Sequence, residues 1–284
     1  MAVILLNAVM HAARRLWSTL EPLHGVQYFT PEVREAGKAI GLRGYWDTYF
    51  AFRAAPLGPV DAPGVVAMFG VFEPGMVAKA LPAAWTRSSV EACLSARSSV
   101  AAQVLRGIGV SEVACASAVA LLSPLRLAAT ARPLGAANAV LPLSEDPVAA
   151  LWQVATTLRE HRGDGHIAAL MTAGLSGLDG MHLQLARTGF DPEAMRQVRG
   201  WSAQEWSAAR ESLVERDLLF SDGLTPAGSA VLDSVEDMTD ALAWQGGLSS
   251  LPVDEVVEVL APSVAAVWDS GLMPMANPVG VSRP

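Results

Sequence analysis

The stretch that decides the fold reads DPEAMRQVRGWSAQEWSAARESLVERDLLFSDGLTPAG, residues 191–228. Asp191 stands before Pro and Glu, and Ser202 stands three residues before a glutamate, so each is expected to cap the start of a helix. Gly200 lies between the two predicted helices, which is the layout of a helix-turn-helix. An Asp-Gly pair flanked by apolar residues then predicts a two-stranded hairpin, and Thr225 begins a further helix. Helix, turn, helix, hairpin, helix is the order of a winged helix.

A second, shorter copy of this layout lies near the N-terminus. A Thr-Pro-Glu sequence predicts a helix start at Thr30, and an Arg-Gly-aromatic turn follows at residues 43–46, as it does at 199–201. An aromatic helix, residues 46–54, then occupies the recognition position, and the apolar run 65–72 is compatible with a wing strand or a helix. The two copies predict a mainly α fold of tandem winged-helix modules, which form a pseudo-dimer within one chain with a cavity between the halves.

Length and composition agree with a folded chain of one large or two smaller domains. The chain has 284 residues, of which 51% are hydrophobic and 17% charged, and this excludes wholesale disorder. We expect an N-terminal degenerate winged-helix-like half over residues 1–110, a helical connector over 111–190, and a C-terminal winged helix with an irregular tail over 191–284. No signal peptide or membrane span is evident, so we expect a cytoplasmic protein.

The distribution of charge argues against DNA binding. The formal net charge is −8, and residues 191–243 hold four basic and eleven acidic side chains. A duplex would be repelled by such a surface at physiological salt. Residues 1–110 hold ten basic and seven acidic side chains, which leaves open a local basic patch. Its candidate members are Arg14, Arg15, Arg34 and Lys38.

The segment LREHRGDGHIAAL, residues 158–170, is the most specific part of a family resemblance. Together with YFAFRAAPLG at 49–58, RGWS at 199–202 and GLTPAG at 223–228, it resembles the SalK-like helix-turn-helix proteins of actinobacteria, which are grouped with MarR-type winged-helix regulators. The resemblance implies tandem winged-helix modules. Its members are often named regulators because of their fold, and some belong to natural-product pathways, so function does not follow from the fold.

The same segment supplies the first candidate site. A helix is expected to end at Gly163, and a second glycine two residues later predicts a loop before the next helix. This loop would gather His161, Asp164 and His166 as acid–base groups, with Arg162 as an anion anchor. The alternative is a polar junction between helices, in which Arg162 pairs with Asp164 and His166 caps a neighbouring helix.

The second candidate site combines a turn after the N-terminal helix with the aromatic helix. We expect His24 to join the acid–base set, and we expect an apolar pocket with a few polar groups, which is typical of small-molecule sites. The alternative is that the aromatic stripe is ordinary core. The predicted ligand-binding residues are Tyr28, Trp46, Tyr49, Arg53, Phe72 and Arg162.

The sequence therefore predicts a scaffold that has lost DNA binding and holds a small, apolar organic molecule. Acid–base catalysis in specialised metabolism fits this hypothesis, although whether the protein is an enzyme stays open. The alternatives are a MarR-like, ligand-responsive transcription regulator and a protein-docking role for the acidic winged helix. The five histidines lack metal-site spacing, so we expect no metal. We also expect no cofactor and no membrane partner. A homodimer is left open.

Overall fold

The computed structural model of the chain describes residues 2–129, 132–245, 250–275, 277 and 279–283. In this part of the chain nearly all regular structure is α-helical, with two short 3-10 helices at Ala55–Leu57 and Ala83–Thr86. The α-helices are, in chain order, α1 (Ala2–Phe29), α2 (Pro31–Ala39), α3 (Gly44–Ala54), α4 (Ala62–Phe69), α5 (Pro74–Ala80), α6 (Val90–Gly107), α7 (Glu112–Arg126), α8 (Pro133–Ala139), α9 (Pro147–Thr172), α10 (Gly177–Thr188), α11 (Pro192–Arg199), α12 (Ala203–Glu215), α13 (Pro226–Ala243) and α14 (Val253–Asp269).

The predicted helix starts of the C-terminal stretch are confirmed. The Asp191 carboxylate accepts a hydrogen bond from the backbone N–H of Glu193 at the start of α11. Ser202 forms a full capping box with Glu205 at the start of α12. The Thr225 hydroxyl accepts from the N–H of Gly228 at the start of α13. These caps satisfy N–H groups that have no partner within the helix, which is why a local pattern predicts them well.

The predicted hairpin is present only as a minimal turn. Leu219 and Leu224 form an isolated antiparallel bridge, and the N–H of Phe220 donates to the carbonyl of Gly223 at 2.8 Å. The described residues contain no longer strand. The apolar run 65–72 was compatible with a strand or a helix. Its residues 65–69 lie in α4, which ends at Gly70 in the left-handed conformation.

Helices α2 and α3, which the sequence predicts to form a helix-turn-helix, cross closely at Gly37. A Cβ atom at Gly37 would lie 2.0 Å from Oγ1 of Thr48, so only glycine permits this approach. The α2–α3 pair precedes α9 in the chain, and the α11–α12 pair follows it. The chain is thus a mainly α protein with helix-turn-helix elements.

Helix α9 is the centre of the fold. Eighteen of its 26 residues are buried, and it packs most extensively against α13, α7, α8 and α1. The prediction that this helix ends at Gly163 is wrong, because α9 continues through Gly163 and Gly165 to Thr172. Each glycine costs about 1 kcal/mol in a helix interior. Packing outweighs that cost, since a Cβ atom at Gly165 would lie only 3.3 Å from the Leu242 side chain of α13.

The apolar core consists of one large cluster and two small ones. The large cluster joins the N-terminal helices to the first half of α9 and to α14, which packs on α1 and α7. The small clusters lie among α10 to α13. Between the large cluster and the small ones the helices leave an open space, which is the candidate site. No helix of the described residues combines the length and the apolar composition needed to cross a membrane.

Candidate functional site

A cavity of about 720 Å³ lies between the N-terminal helices and the C-terminal helix-turn-helix. Helices α1, α3 and α4 line one side, α9 lines the floor, and α10, α11 and α13 line the other side. Binding sites for small organic molecules typically have volumes of about 300–1,000 Å³ and apolar walls with a few polar groups. The cavity is therefore large enough for a molecule of several fused rings.

An aromatic wall is the first notable feature of the cavity. Helix α3 turns Tyr45, Trp46 and Tyr49 toward it, half-buried, whereas Phe50 and Phe52 of the same helix are buried in the core. Ring centroids along the wall lie 4.7 Å apart for Tyr45 and Trp46 and 5.6 Å apart for Trp46 and Tyr49, both in edge-to-face geometry. Such contacts hold the rings in fixed orientations.

Of the predicted ligand-binding residues, Tyr28, Trp46, Tyr49, Arg53 and Arg162 line the cavity. Phe72 does not: it is 2% exposed and packs behind the wall, with its ring 5.3 Å from that of Tyr49. The reason is that the loop after α4 folds back under α3. The structure thus corrects Phe72 from a lining residue to a support.

Buried ion pairs fix the cations at the aromatic end of the cavity. Arg53 donates from Nε and Nη2 to both carboxylate oxygens of Glu160, at 2.8 and 3.0 Å. Arg159 lies 3.1 Å from the same carboxylate and 3.4 Å from Glu21. Burial alone would raise the pKa of Glu160, but Arg53 and Arg159 outweigh it and hold that pKa far below its ordinary value. Glu160 is therefore a structural anion and not a proton donor.

A second network closes the opposite end of the cavity. Nη2 of Arg162 lies 3.0 Å from Asp240 and 3.1 Å from Glu236, both on α13. Arg14 of α1 shares the same two carboxylates, at 2.7 and 3.1 Å. Arg162 therefore ties α9 to α13 and does not pair with Asp164, as the helix-junction alternative would have it.

The predicted acid–base cluster is dispersed, because α9 is continuous. Successive residues of an α-helix are about 100° apart around the axis, so His161 and Asp164 share one face whereas His166 is turned to another. His166 lines the cavity, but His161 and Asp164 pack against α8 and do not. Nη1 of Arg132 lies 3.0 Å from Nε2 of His161. This environment excludes His161 and Asp164 from direct contact with a molecule in the cavity.

The pKa values of these groups follow from their burial. Burial, and then the charge of Arg132, lower the pKa of His161 to about 4. Burial raises the pKa of Asp164 to about 6, although its carboxylate accepts a 2.8 Å hydrogen bond from the N–H of Gly135. Burial also lowers the pKa of His166, more than Glu236 raises it. Both histidines are therefore neutral at pH 7.

His24 is likewise buried behind the wall and does not line the cavity. The hydroxyl of Thr156 donates to the carbonyl of Trp152, so it must accept from Nδ1–H of His24 at 2.9 Å. Nε2 of His24 then accepts from the hydroxyl of Tyr28 at 2.8 Å. Burial holds the pKa of His24 well below its usual range. His24 therefore fixes the orientation of Tyr28, whose ring reaches the cavity.

Sequence reasoning missed Arg199 as a cavity residue. It ends α11, immediately before the turn of the C-terminal helix-turn-helix, and it lines the cavity. The sequence feature that could have identified Arg199 is the repeated Arg-Gly-aromatic turn at 43–46 and 199–201, but this repeat by itself predicts only the fold. Glu21 and Arg14 also line the cavity. Glu21 begins the stretch of the second candidate site but was given no role there, and Arg14 was predicted only as part of the basic patch.

The cations of α12, the helix predicted to occupy the recognition position, are bound within the chain. Helix α12 buries Trp206 and Leu213 and is otherwise exposed or half-buried. Its cation Arg210 donates to the carbonyls of Phe220 and Ser221, and Arg216, which follows the helix, donates to that of Gly174. Helix α3 turns Tyr45, Trp46 and Tyr49 to the cavity.

The candidate basic patch is largely paired as well. Arg14 is bound by the carboxylates described above, Arg15 pairs with Asp254, and Lys38 lies 3.8 Å from Glu35. In the part of the chain that the structure describes, no group of three or more His, Cys, Asp and Glu side chains is placed to hold a metal ion.

Comparison with known proteins adds one finding. The model of a helix-turn-helix family matches residues 13–274, which is most of the chain. Searches of the curated proteins and of the solved structures found no match.

Proposed function

The chain belongs to a helix-turn-helix family, and we propose that it uses this scaffold to bind a small organic molecule in the cavity rather than to bind DNA. The observation that carries the proposal is the cavity itself: about 720 Å³ of space, with an aromatic wall on α3 and guanidinium groups held by buried carboxylates. Aromatic rings supply apolar contact area, and fixed cations supply orientation. A collapsed core would leave no such space, because interiors are close-packed.

The finer description of the scaffold is part of the proposal. We interpret α2–α3 and α11–α12 as the helix-turn-helix units of tandem winged-helix modules that pack as a pseudo-dimer, with the cavity between them. The resemblance to SalK-like proteins supports this interpretation and suggests a role in specialised metabolism. In this arrangement α3 has exchanged an outward recognition surface for an inward binding surface. A small-molecule function then replaces DNA reading, and the MarR-like regulator becomes the alternative.

An acid–base role within this proposal falls to His166. Tyr28 lines the cavity as a contact residue, because burial raises the pKa of its hydroxyl far above the ordinary value. His166 lines the cavity, and its Nδ1–H donates to the hydroxyl of Thr239, because that hydroxyl is committed to the carbonyl of Val235. Nε2 of His166 is then the acceptor of the ring. The hydroxyl of Tyr28 donates to Nε2 of His24, as described. His161 and Asp164, which lie off the cavity, have no part in this role.

The test uses a variant that fills the cavity without disturbing the fold. Gly163 lines the cavity, and the nearest atoms to an added Cβ are side-chain atoms of Glu160 and Arg159 at 3.7 and 3.8 Å. Gly163→Phe places a ring in the binding space, whereas Gly163→Ala also adds a Cβ atom and helix propensity but leaves the space open. The readout is the fluorescence of N-phenyl-1-naphthylamine, a neutral apolar dye that brightens on leaving water.

We expect saturable binding of one dye to the native chain and to Gly163→Ala. Gly163→Phe is expected to weaken binding about tenfold or more, since overpacking costs about 1–3 kcal/mol. Absence of binding to the native chain, or equal binding to both variants, would overturn the proposal. Anisotropy of a labelled duplex at low salt is the second arm. Binding that weakens steeply with added salt would favour the regulator alternative.

A further inference from the structure

The cations of the cavity wall are not equally satisfied. At the aromatic end, Arg53 and Arg159 face the carboxylates of Glu160 and Glu21. At the other end, Arg14 and Arg162 face those of Glu236 and Asp240. Arg187 lies 2.8 Å from Asp233. Each of these groups balances to zero formal charge.

Arg199 is the exception among the described cavity residues. It forms no ion pair with any described carboxylate, and its Nε is buried without a hydrogen-bond partner. Its guanidinium carbon lies 4.6 Å from the centroid of the Phe72 ring, so one face is covered by an aromatic ring. Burial lowers the pKa of Arg199, more than the neighbouring Tyr49 raises it, and Arg53 adds repulsion. An arginine nevertheless stays protonated in a protein, so the cavity carries one uncompensated positive charge.

The backbone around Arg199 is held rigidly by the N-terminal half. The carbonyl of Arg199 accepts from the N–H of Glu73 at 3.0 Å. Two residues on, the indole N–H of Trp201 donates to the carbonyl of Val71 at 3.1 Å. Gly200 has a φ of +82°, and a Cβ atom there would lie 2.8 Å from Sδ of Met76. The turn is thus held against the segment 71–76 of the N-terminal half, and this contact preorganises the cation.

We propose that the cavity takes a molecule with an aromatic or otherwise apolar body and one anionic oxygen group, and that this group binds Arg199 beside Tyr45 and Tyr49. The inference rests on the proposed function, since it names the ligand class of the same cavity. A buried charge without a partner is costly, and a ligand anion supplies the missing partner. Arginine suits this role because its planar group meets a carboxylate or a phosphate with two parallel hydrogen bonds. The aromatic wall of α3 contacts the body of the molecule at the same time.

The test compares two dyes that differ in a single group. 1-Anilinonaphthalene-8-sulfonate is N-phenyl-1-naphthylamine with an added sulfonate, so their affinities separate the anionic contact from the apolar one. Arg199→Met removes the charge and keeps an unbranched side chain. Arg187→Met is the matched control, because Arg187 also lines the cavity but is paired with Asp233.

We expect Arg199→Met to weaken binding of the anionic dye about 10- to 100-fold, as loss of a charge-assisted hydrogen bond implies. Binding of the neutral dye is expected to change less than about threefold in this variant. Arg187→Met is expected to leave both affinities within the same limit. Suppose that the neutral dye binds, and that Arg199→Met either leaves binding of the anionic dye unchanged or weakens binding of both dyes equally. The proposed anion site is then refuted, whereas the proposed binding of a small molecule in the cavity is not. If neither dye binds the native chain, the proposed function itself fails.

A competition experiment on the native chain keeps the test independent of how the variant folds. 2-Naphthoate and 2-naphthamide have nearly the same shape and differ in charge. We expect the carboxylate to displace the neutral dye about tenfold more tightly or better, and equal potency would overturn the proposal. Adding 2-naphthyl phosphate as a third competitor then distinguishes a carboxylate site from a phosphate site.

Discussion

Replacing Glu160 by glutamine tests whether the buried ion pairs along the cavity stabilise the fold. The side chain of Glu160 is 1% exposed, and it accepts from both Nε and Nη2 of Arg53. Glutamine has the same shape, so the substitution creates no void and alters almost no apolar contact. What changes is the charge: the guanidinium groups of Arg53 and Arg159 stay buried after their shared carboxylate is gone.

The expected loss follows from the geometry of this group. Breaking a buried pair by removing one partner typically costs about 3–5 kcal/mol, because the other charge is left uncompensated. Two features of the site reduce the loss to the lower end of that range. Glutamine keeps one carbonyl oxygen as an acceptor, and Glu21 still faces Arg159 at 3.4 Å. We therefore expect Glu160→Gln to lower the free energy of unfolding by about 3 kcal/mol.

The assay is urea denaturation followed by circular dichroism, with the slope of the transition compared between variants. Glu193→Gln is the matched control, because Glu193 forms an equally close pair with Arg196 but is 59% exposed. Solvent screening makes exposed pairs weak, so the control is expected to shift the midpoint far less. A loss below about 1 kcal/mol in Glu160→Gln, or equal shifts in the two variants, would show that the buried network does not stabilise the fold.

Two further predictions concern packing and acid stability. A Cβ atom at Gly177 would lie 1.9 Å from the carbonyl oxygen of Gly70, so Gly177→Ala should lower the unfolding free energy by about 3 kcal/mol. The control is Gly107→Ala, whose Cβ atom would meet nothing within 4 Å and which should raise the unfolding free energy by about 0.5–1 kcal/mol. Equal effects of the two substitutions in the urea assay would refute the close approach of Gly177 to Gly70. Burial lowers the pKa of His161, and that of His182 in α10, to about 4 in the folded chain, whereas the unfolded value is about 6.5. Each histidine therefore contributes stability above pH 6.5, up to about 3 kcal/mol, and this contribution is lost as the pH falls to 4. The pKa of Asp164, at about 6, acts in the opposite direction below pH 6 and returns part of this loss. A flat stability profile from pH 7 to 5 would contradict the depressed pKa values.

The sequence predicted the elements whose causes are local. Helix starts at Asp191, Ser202 and Thr225 depend on a side chain two or three residues from the N–H groups that it caps, so the pattern is visible in one short window. The order of helices around Gly200 is equally local. The reduced hairpin at 218–225 shows the limit, because an Asp-Gly turn predicts a reversal of the chain but not how many residues pair on either side of it.

Elements that depend on distant partners could not be predicted in the same way. Two glycines within four residues ordinarily indicate a helix end, yet α9 continues because Gly165 allows α13 to pack closely. Arg162 pairs with Asp240, 78 positions away, and nothing in a single sequence links them. The acid–base cluster at 161–166 was therefore wrong in its geometry. Of its four predicted side chains, only Arg162 and His166 line the cavity, because the continuous helix turns His161 and Asp164 away from it.

The charge of the C-terminal module shows why composition answers one functional question and not another. Residues 191–243 carry seven more acidic than basic side chains. The exposed face of α12 carries part of that excess, with Glu205, Glu211 and Glu215 against Arg210, and such a surface repels a DNA backbone. Arg199 belongs to the same module but faces inward, against Phe72. A sum over the module counts outward and inward charges together, although only the outward ones meet a macromolecule. The acidic total therefore argues against DNA and is fully compatible with an anionic ligand. The inward orientation of Arg199 at the end of α11 supports the proposed anionic ligand, and only the fold reveals that orientation.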